Sequence, residues 1–187
     1  DAVFVDLNGD GVLNGDDATR DIGFTDIPEY TAGLNLGFSW KNFDFSMQWT
    51  GAWNVDRMLS EFRRPLGDTN SKALLLYQYE TTWRSSEDTF TAKFPRASNS
   101  HASNNYRGTD LYLINASYLR LKNVEIGYNF DFPFMKKMKL DNCRLYINGY
   151  NLLTITGFDW GDPESRQSDR PNYPLTRVFN IGLKVGF

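Results

Sequence analysis

The chain has 187 residues, a net charge of −3, 41% apolar side chains, one cysteine and one histidine. The acidic balance argues against a nucleic-acid footprint, the lone Cys143 can build neither a disulfide framework nor a cysteine zinc site, and the lone His101 removes most histidine-based catalysis and metal chemistry. No run approaches the roughly 18 apolar residues of a membrane helix, which excludes helical spans but not barrel strands, whose alternation keeps mean hydropathy low.

The first motif is Asp6-Leu-Asn8-Gly-Asp10-Gly11-Val12-Leu-Asn14-Gly-Asp16-Asp17. It matches an EF-hand loop at positions 1, 3, 5, 6 and 9. Asp6, Asn8 and Asp10 offer side-chain oxygens, Val12 a backbone carbonyl, Asn14 a contact through water, and Asp17 the closing ligand. Hard cations need several oxygens converging from one short loop, and alternate residues provide them. The expected ion is a structural Ca²⁺, with Mg²⁺ as the other hard cation that such a loop accepts. Position 12 is Asp rather than Glu, which weakens bidentate closure. A metal-free Gly/Asn/Asp turn is the competing reading.

Strict alternation predicts a strand over 30–40, with Ala32, Leu34, Leu36, Phe38 and Trp40 on one face and Thr31, Gly33, Asn35, Gly37 and Ser39 on the other. Lys41-Asn42 is a tight turn. A second strand, 43–53, sets Phe43, Phe45, Met47, Trp49 and Trp53 against Asp44, Ser46, Gln48 and Thr50, so the two form a hairpin. Residues 54–116 are a long polar excursion, with a short helix predicted within 71–83. Its Tyr77, Tyr79, Trp83, Tyr106 and Tyr112 are the aromatics freest to touch a ligand or partner.

A third strand is predicted over 118–130. Its Val124, Ile126, Tyr128 and Phe130 share a face, but Leu119 and Leu121 are out of phase with them. A β-bulge near Lys122-Asn123 restores the phase. A connector, 131–142, carries Lys136, Lys137 and Lys139. A fourth strand, 143–154, precedes a loop over 156–174, in which Asp162 and Glu164 read as turn formers or surface charges rather than paired catalytic carboxylates. The chain closes on Phe179-Asn-Ile-Gly-Leu-Lys-Val-Gly-Phe187, apolar at every second residue.

Strands of about 9–11 residues, apolar on one side, are the unit of a transmembrane β-barrel. The connections run short, long, medium-short, long, so every long loop falls on one side, as in outer-membrane barrels. About five strands cannot close such a barrel, which needs about 8 or more. The chain, opening on Asp1, is therefore expected to be a piece of a longer protein. Residues 1–29 read as a loop segment carrying the cation motif, and 30–187 as barrel strands with extracellular loops 54–116 and 156–174. Leu34, Leu36, Phe45, Met47, Ile181 and Leu183 are expected to meet lipid. Asn35, Asp44, Gln48, Asn123, Glu125, Asn129 and Lys184 are expected to face inward.

Several passages resemble the C-terminal end of SusC/RagA-type TonB-dependent transporters of Bacteroidetes-like outer membranes. They are the Asp6–Val12 motif, Ile22-Gly23, Pro28-Glu-Tyr30, Phe43-Asp-Phe-Ser46, Trp83 and Lys93-Phe-Pro-Arg96. The most specific is Ala116-Ser-Tyr-Leu-Arg-Leu-Lys-Asn-Val-Glu-Ile-Gly-Tyr128. After it come Leu145-Tyr-Ile-Asn-Gly-Tyr-Asn-Leu-Leu-Thr154, Asp162-Pro-Glu164, Tyr173-Pro174 and the terminal aromatic strand. The resemblance implies an all-β antiparallel barrel of about 22 strands, of which this chain supplies about the last five. It implies import of glycans or peptides, energy from TonB through a plug outside this chain, and a SusD-like surface lipoprotein as lid.

A soluble β-sandwich carbohydrate-binding module with a structural calcium is the alternative. It accounts for the aromatics and the Asp6 loop, but not for the one-sided loops or the uncharged apolar faces. An enzyme finds no support, because no acid and base pair or nucleophile can be assembled.

Overall fold

Alternating side chains give each long strand one greasy and one polar face, and strand pairing carries that division across a whole sheet. The computed structural model describes residues 2–59, 76–89, 91–97, 105, 107–133, 140–165 and 175–187. Its strands are β1 (Tyr30–Trp40), β2 (Phe43–Trp53), β3 (Asp56–Met58), β4 (Leu113–Asn115), β5 (Tyr118–Phe130), β6 (Asn142–Thr156) and β7 (Val178–Gly186). They divide between two units. One draws chiefly on Asp1–Asp26 and Asp56–Asn115; the other draws on Ile27–Val55, Ala116–Ser165 and Asn172–Phe187.

The second unit is one antiparallel sheet in the order β1-β2-β5-β6-β7. The first hairpin, the strand over 118–130 and the terminal strand lie where alternation predicts them. Lys41 opens the hairpin turn at a φ of 53°, the positive value that the first position of a primed turn needs. β6 runs to Thr156, two residues beyond its predicted end.

Register aligns the apolar residues in rows. Leu36, Met47, Val124, Gly149 and Phe179 form one; Phe38, Phe45, Ile126, Ile147 and Ile181 the next; Trp40, Phe43, Tyr128, Leu145 and Leu183 a third. This face stays open: Phe38 is 63% exposed, Ile147 56% and Ile181 73%. A sandwich would bury such rows under a second sheet about 10 Å away. The open rows overturn the β-sandwich alternative.

The bulge falls where the phase break predicts. Gln48 pairs with Asn123 and Trp49 with Leu121, so Lys122 is skipped. The facing strand answers with its own irregularity: Leu121 pairs with Leu153 and Asn123 with Tyr150, and Asn151 between them sits at a φ of 53°. The bulge returns Val124 to the face that Leu119 and Leu121 occupy, without which half of β5 would turn its apolar side the wrong way.

The antiparallel order places the 41–42 turn and the 131–141 connection at one end of the sheet. The 54–117 and 157–177 connections leave the other.

In the first unit, β3 and β4 pair as a small antiparallel ladder. Leu59, Phe94 and Tyr112 are buried there, with the Phe94 and Tyr112 rings stacked at 6.4 Å. Tyr112, expected to be a free loop aromatic, is instead core: it is 1% exposed and its hydroxyl donates to the Asn105 carbonyl. Of the predicted helix, α1 is described over Leu76–Thr81. Thr82 leaves it to bridge Phe94, and the predicted turn over 71–75 lies outside the described residues, as do His101, Tyr106, Lys136, Lys137 and Lys139.

Candidate functional site

The Asp6–Asp17 loop is shaped by its own side chains. Asp6 accepts the Gly9 N–H at 2.7 Å on one oxygen and the Gly11 N–H at 2.8 Å on the other. Asn8 accepts from the Asp10 N–H, Asp10 from the Val12 N–H, and Asn14 from the Asp16 N–H. These are Asx turns, in which short polar side chains bond backbone a few residues on. Gly11 sits at a φ of 80°, a value that favours glycine and that the sharp bend of a cation loop requires.

Asp17 does something the sequence did not foretell. One of its oxygens accepts the Leu7 N–H at 2.9 Å and the other the Asn14 N–H at 2.8 Å. It thus ties the start of the loop to its end, and it also completes a capping box on the turn Gly15–Asp17. The Asn14 N–H is the largest influence and holds the Asp17 carboxyl below the usual carboxylate value; desolvation opposes it, and Leu7, Asn8 and Asp6 add smaller contributions in the same direction as Asn14. Asp6, Asn8 and Asp10 keep the alternate spacing and oxygen chemistry of a hard-cation set. Among the described residues no trio of His, Cys, Asp or Glu is drawn together as a bound ion would draw it.

The polar face of the sheet holds two charge clusters. In the first, Arg144 Nε donates to Asp44 at 3.0 Å and its Nη2 bonds both Asp44 and, at 2.7 Å, Glu125. Asn129 donates to Asp44 at 3.0 Å, and Asn148 to Glu125 at 3.3 Å. Asn180 of β7 donates to Asn148 at 2.9 Å, so side-chain bonds link four strands on this face. Asn35, Gln48 and Asn123 share a row of the same face, and Lys184 lies opposite Arg144. Every residue expected to point inward is on this side, and Leu34, Leu36, Phe45, Met47, Ile181 and Leu183 are all on the other.

The second cluster is one that sequence reasoning missed. Arg120, 2% exposed, donates to Asp162 at 2.7 Å, Glu164 at 2.6 Å and Thr154 at 3.0 Å. Lys122 adds a bond to Glu164 at 2.9 Å. Asp162 is a turn former, as expected, its carboxylate accepting the Glu164 N–H at 2.9 Å, but both carboxylates are also partners of a buried guanidinium, in charge-assisted bonds of the strong kind. The only signal was indirect: Arg120 lies in the most specific block of the chain, and Asp162-Pro-Glu164 is another of its family-like passages.

No protein-family model matches the chain. It is 30% identical over 202 residues to TonB-dependent receptor P3 of Formosa agariphila, covering 99% of this chain and 19% of that protein. To TonB-dependent receptor SusC of Bacteroides thetaiotaomicron it is 25% identical, covering 99% of this chain and 17% of that protein. The chain thus spans about a fifth of the curated relatives that it matches. The solved structure of the RagAB peptide transporter superposes with a TM-score of 0.74 over 94% of this chain and 19% of that one, at 23% identity. The RagAB importer in its closed-closed state gives 0.71 over 95% of this chain and 20% of that one, at 21% identity. These two likenesses carry the fold. The relatives are receptors and transporters, not enzymes. Together with the two-faced antiparallel sheet, they show that the chain belongs to the SusC/RagA-type TonB-dependent transporters and is a segment of their β-barrel.

Proposed function

We propose that this chain supplies the last five strands of an outer-membrane importer of about 22 strands. The observation that carries the reading is the split of one sheet into an open apolar face and a hydrogen-bonded polar face. The apolar face suits hydrocarbon, where it needs no second layer. The polar face would border the lumen and the plug. The outer edges of β1 and β7 have no partner strand among the described residues, and unpaired backbone is costly in lipid, so neighbouring strands of the same barrel would cover them.

On this reading the end of the sheet that carries the long connections is extracellular, and the C-terminal end of β7 is periplasmic. The protein works with a SusD-like surface lipoprotein as lid, and TonB acts through a plug beyond this chain. The cargo is an oligosaccharide or a peptide. The Asp6–Asp17 loop holds a structural Ca²⁺ through Asp6, Asn8, Asp10, the Val12 carbonyl and Asn14, with Asp17 as the clamp that closes it.

Site-directed labelling of the intact transporter in lipid vesicles tests the reading. Nitroxide labels placed at Leu36 and Ile181 should be relaxed by bilayer-dissolved oxygen, and labels at Asn35 and Asn180 by a water-soluble relaxant. A reversed pattern, or water access at all four positions, overturns it.

A further inference from the structure

We infer that residues 157–165 fold inward over the polar face of the sheet, and that Arg120 is the positioning residue that latches them there. The chain leaves β6 at Thr156, whose hydroxyl donates to the Ser117 carbonyl and accepts the Phe158 N–H. It does not then run away from the sheet. Phe158 and Pro163 are buried, and Gly161 makes the bend at a φ of 134°, a conformation that L side chains rarely adopt. Asp162 and Glu164 then meet Arg120.

Arg120 belongs to the polar row of Gly33, Thr50 and Thr154, two residues in from the start of β5. Its guanidinium is almost wholly covered on that face, and the carboxylates that reach it come from the segment after β6. The cluster is internally neutral, with Arg120 and Lys122 set against Asp162 and Glu164. The Arg120 side chain is 3% exposed and that of Asp162 10%, so salt screens this pair much less than a surface pair. The inference rests on the transporter reading: if the polar face borders the passage, the latched segment narrows it. A solute then meets residues 157–165 rather than bare strand wall.

The test uses the intact transporter in lipid vesicles, with Cys143→Ser as background and Pro163→Cys as reporter. A small water-soluble maleimide should label Cys at that position slowly. Arg120→Gln should speed labelling by about tenfold or more, because loss of a buried ion-pair partner shifts local opening by over a decade. Arg120→Lys, which keeps the charge but not the fork, should fall between. Heat-modifiable migration of the barrel should not change. Equal rates in all three overturn the latch.

If Arg120→Gln prevents assembly, Asp162→Asn with Glu164→Gln releases the segment from the loop side with the strand intact. An unchanged rate there overturns the latch equally. A bulky maleimide reports the narrowing: its disadvantage against the small one should shrink on release, and a constant ratio overturns that part. Relaxation of a nitroxide at Leu183 by bilayer oxygen is scored separately. Its failure sinks the transporter reading and leaves the latch result standing.

Discussion

Arg144 on β6 crosses over Gly127 on β5 to hold Asp44 on β2, with its Nε 3.0 Å from the carboxylate. Gly127 lies opposite Asp44 on one side and Tyr146 on the other, and a Cβ at 127 would collide with the guanidinium. The missing side chain is what opens the lane. Gly127→Ala should therefore lower the unfolding free energy of the intact barrel by about 1–3 kcal/mol, the usual range for overpacking. In an Arg144→Ala background the same change should cost far less, since contacting residues are not additive. Equal costs in denaturant titrations of both backgrounds would show that Arg144 is not the cause.

Charge should be tolerated on one face and not on the other. Leu183→Arg puts a guanidinium in the row of Trp40, Phe43, Tyr128 and Leu145, next to the hairpin turn, and should lower the yield of folded barrel at a cost below the about 2–4 kcal/mol of a midplane site. Ser39→Lys lies opposite Asp44 on the polar face and should leave assembly unchanged. Folding of the intact barrel into vesicles, scored by gel migration before and after heating, compares them. Indifference to Leu183→Arg would place that side chain outside lipid.

The calcium proposal separates from loop stability through Asp10→Asn. Asn keeps the oxygen that accepts the Val12 N–H but removes a negative charge, and ligand charge count tunes affinity in such loops. Calorimetric titration should give about tenfold weaker calcium binding for the variant, with the metal-free thermal midpoint nearly unchanged, since the one bond given up, from the Asn8 amide to the second Asp10 oxygen, is exposed. No calcium heat in the unmodified protein would end the proposal.

Asp17 gives the loop an acid limit. Its carboxyl is held below the usual value of 3.8, first by the Asn14 N–H, so its folded-state pKa is lower than its unfolded one. Its contribution is fully present above the ordinary value and is lost as pH falls through the lowered one. Amide exchange at Leu7 and Asn14 should stay protected at pH 5 and accelerate, beyond the intrinsic pH trend, only below about pH 4. Asp17→Asn should remove that pH dependence. Protection that does not change across this range would mean that the carboxylate does not hold the loop.

The legible features are those that neighbouring residues encode together. Leu119 and Leu121 against Val124 announced the bulge at Lys122, because a pleated strand has a side-chain period of two and any slip shows at once. The helix in the long excursion was harder. Leu76, Tyr79 and Trp83 share helical spacing, yet the Thr81 carbonyl and the Trp83 N–H are taken up by backbone bonds to Lys93 and Phe94, a tertiary preference that no local spacing carries. The cation loop was legible as a loop, and the clamp by Asp17 was not, since its two partners depend on how the turn closes.

Alternation along the chain was enough to decide that these strands have one greasy and one polar side, because backbone geometry makes that pattern local. Only the tertiary structure decided that Tyr112 is core and that Arg144 joins Asp44 across an intervening strand. The same holds for Arg120, which gathers Asp162 and Glu164 from 42 and 44 residues away. Such contacts arise when pairing and loop closure bring distant residues into one small volume, and a charged side chain carries no mark of which opposite charge it will meet.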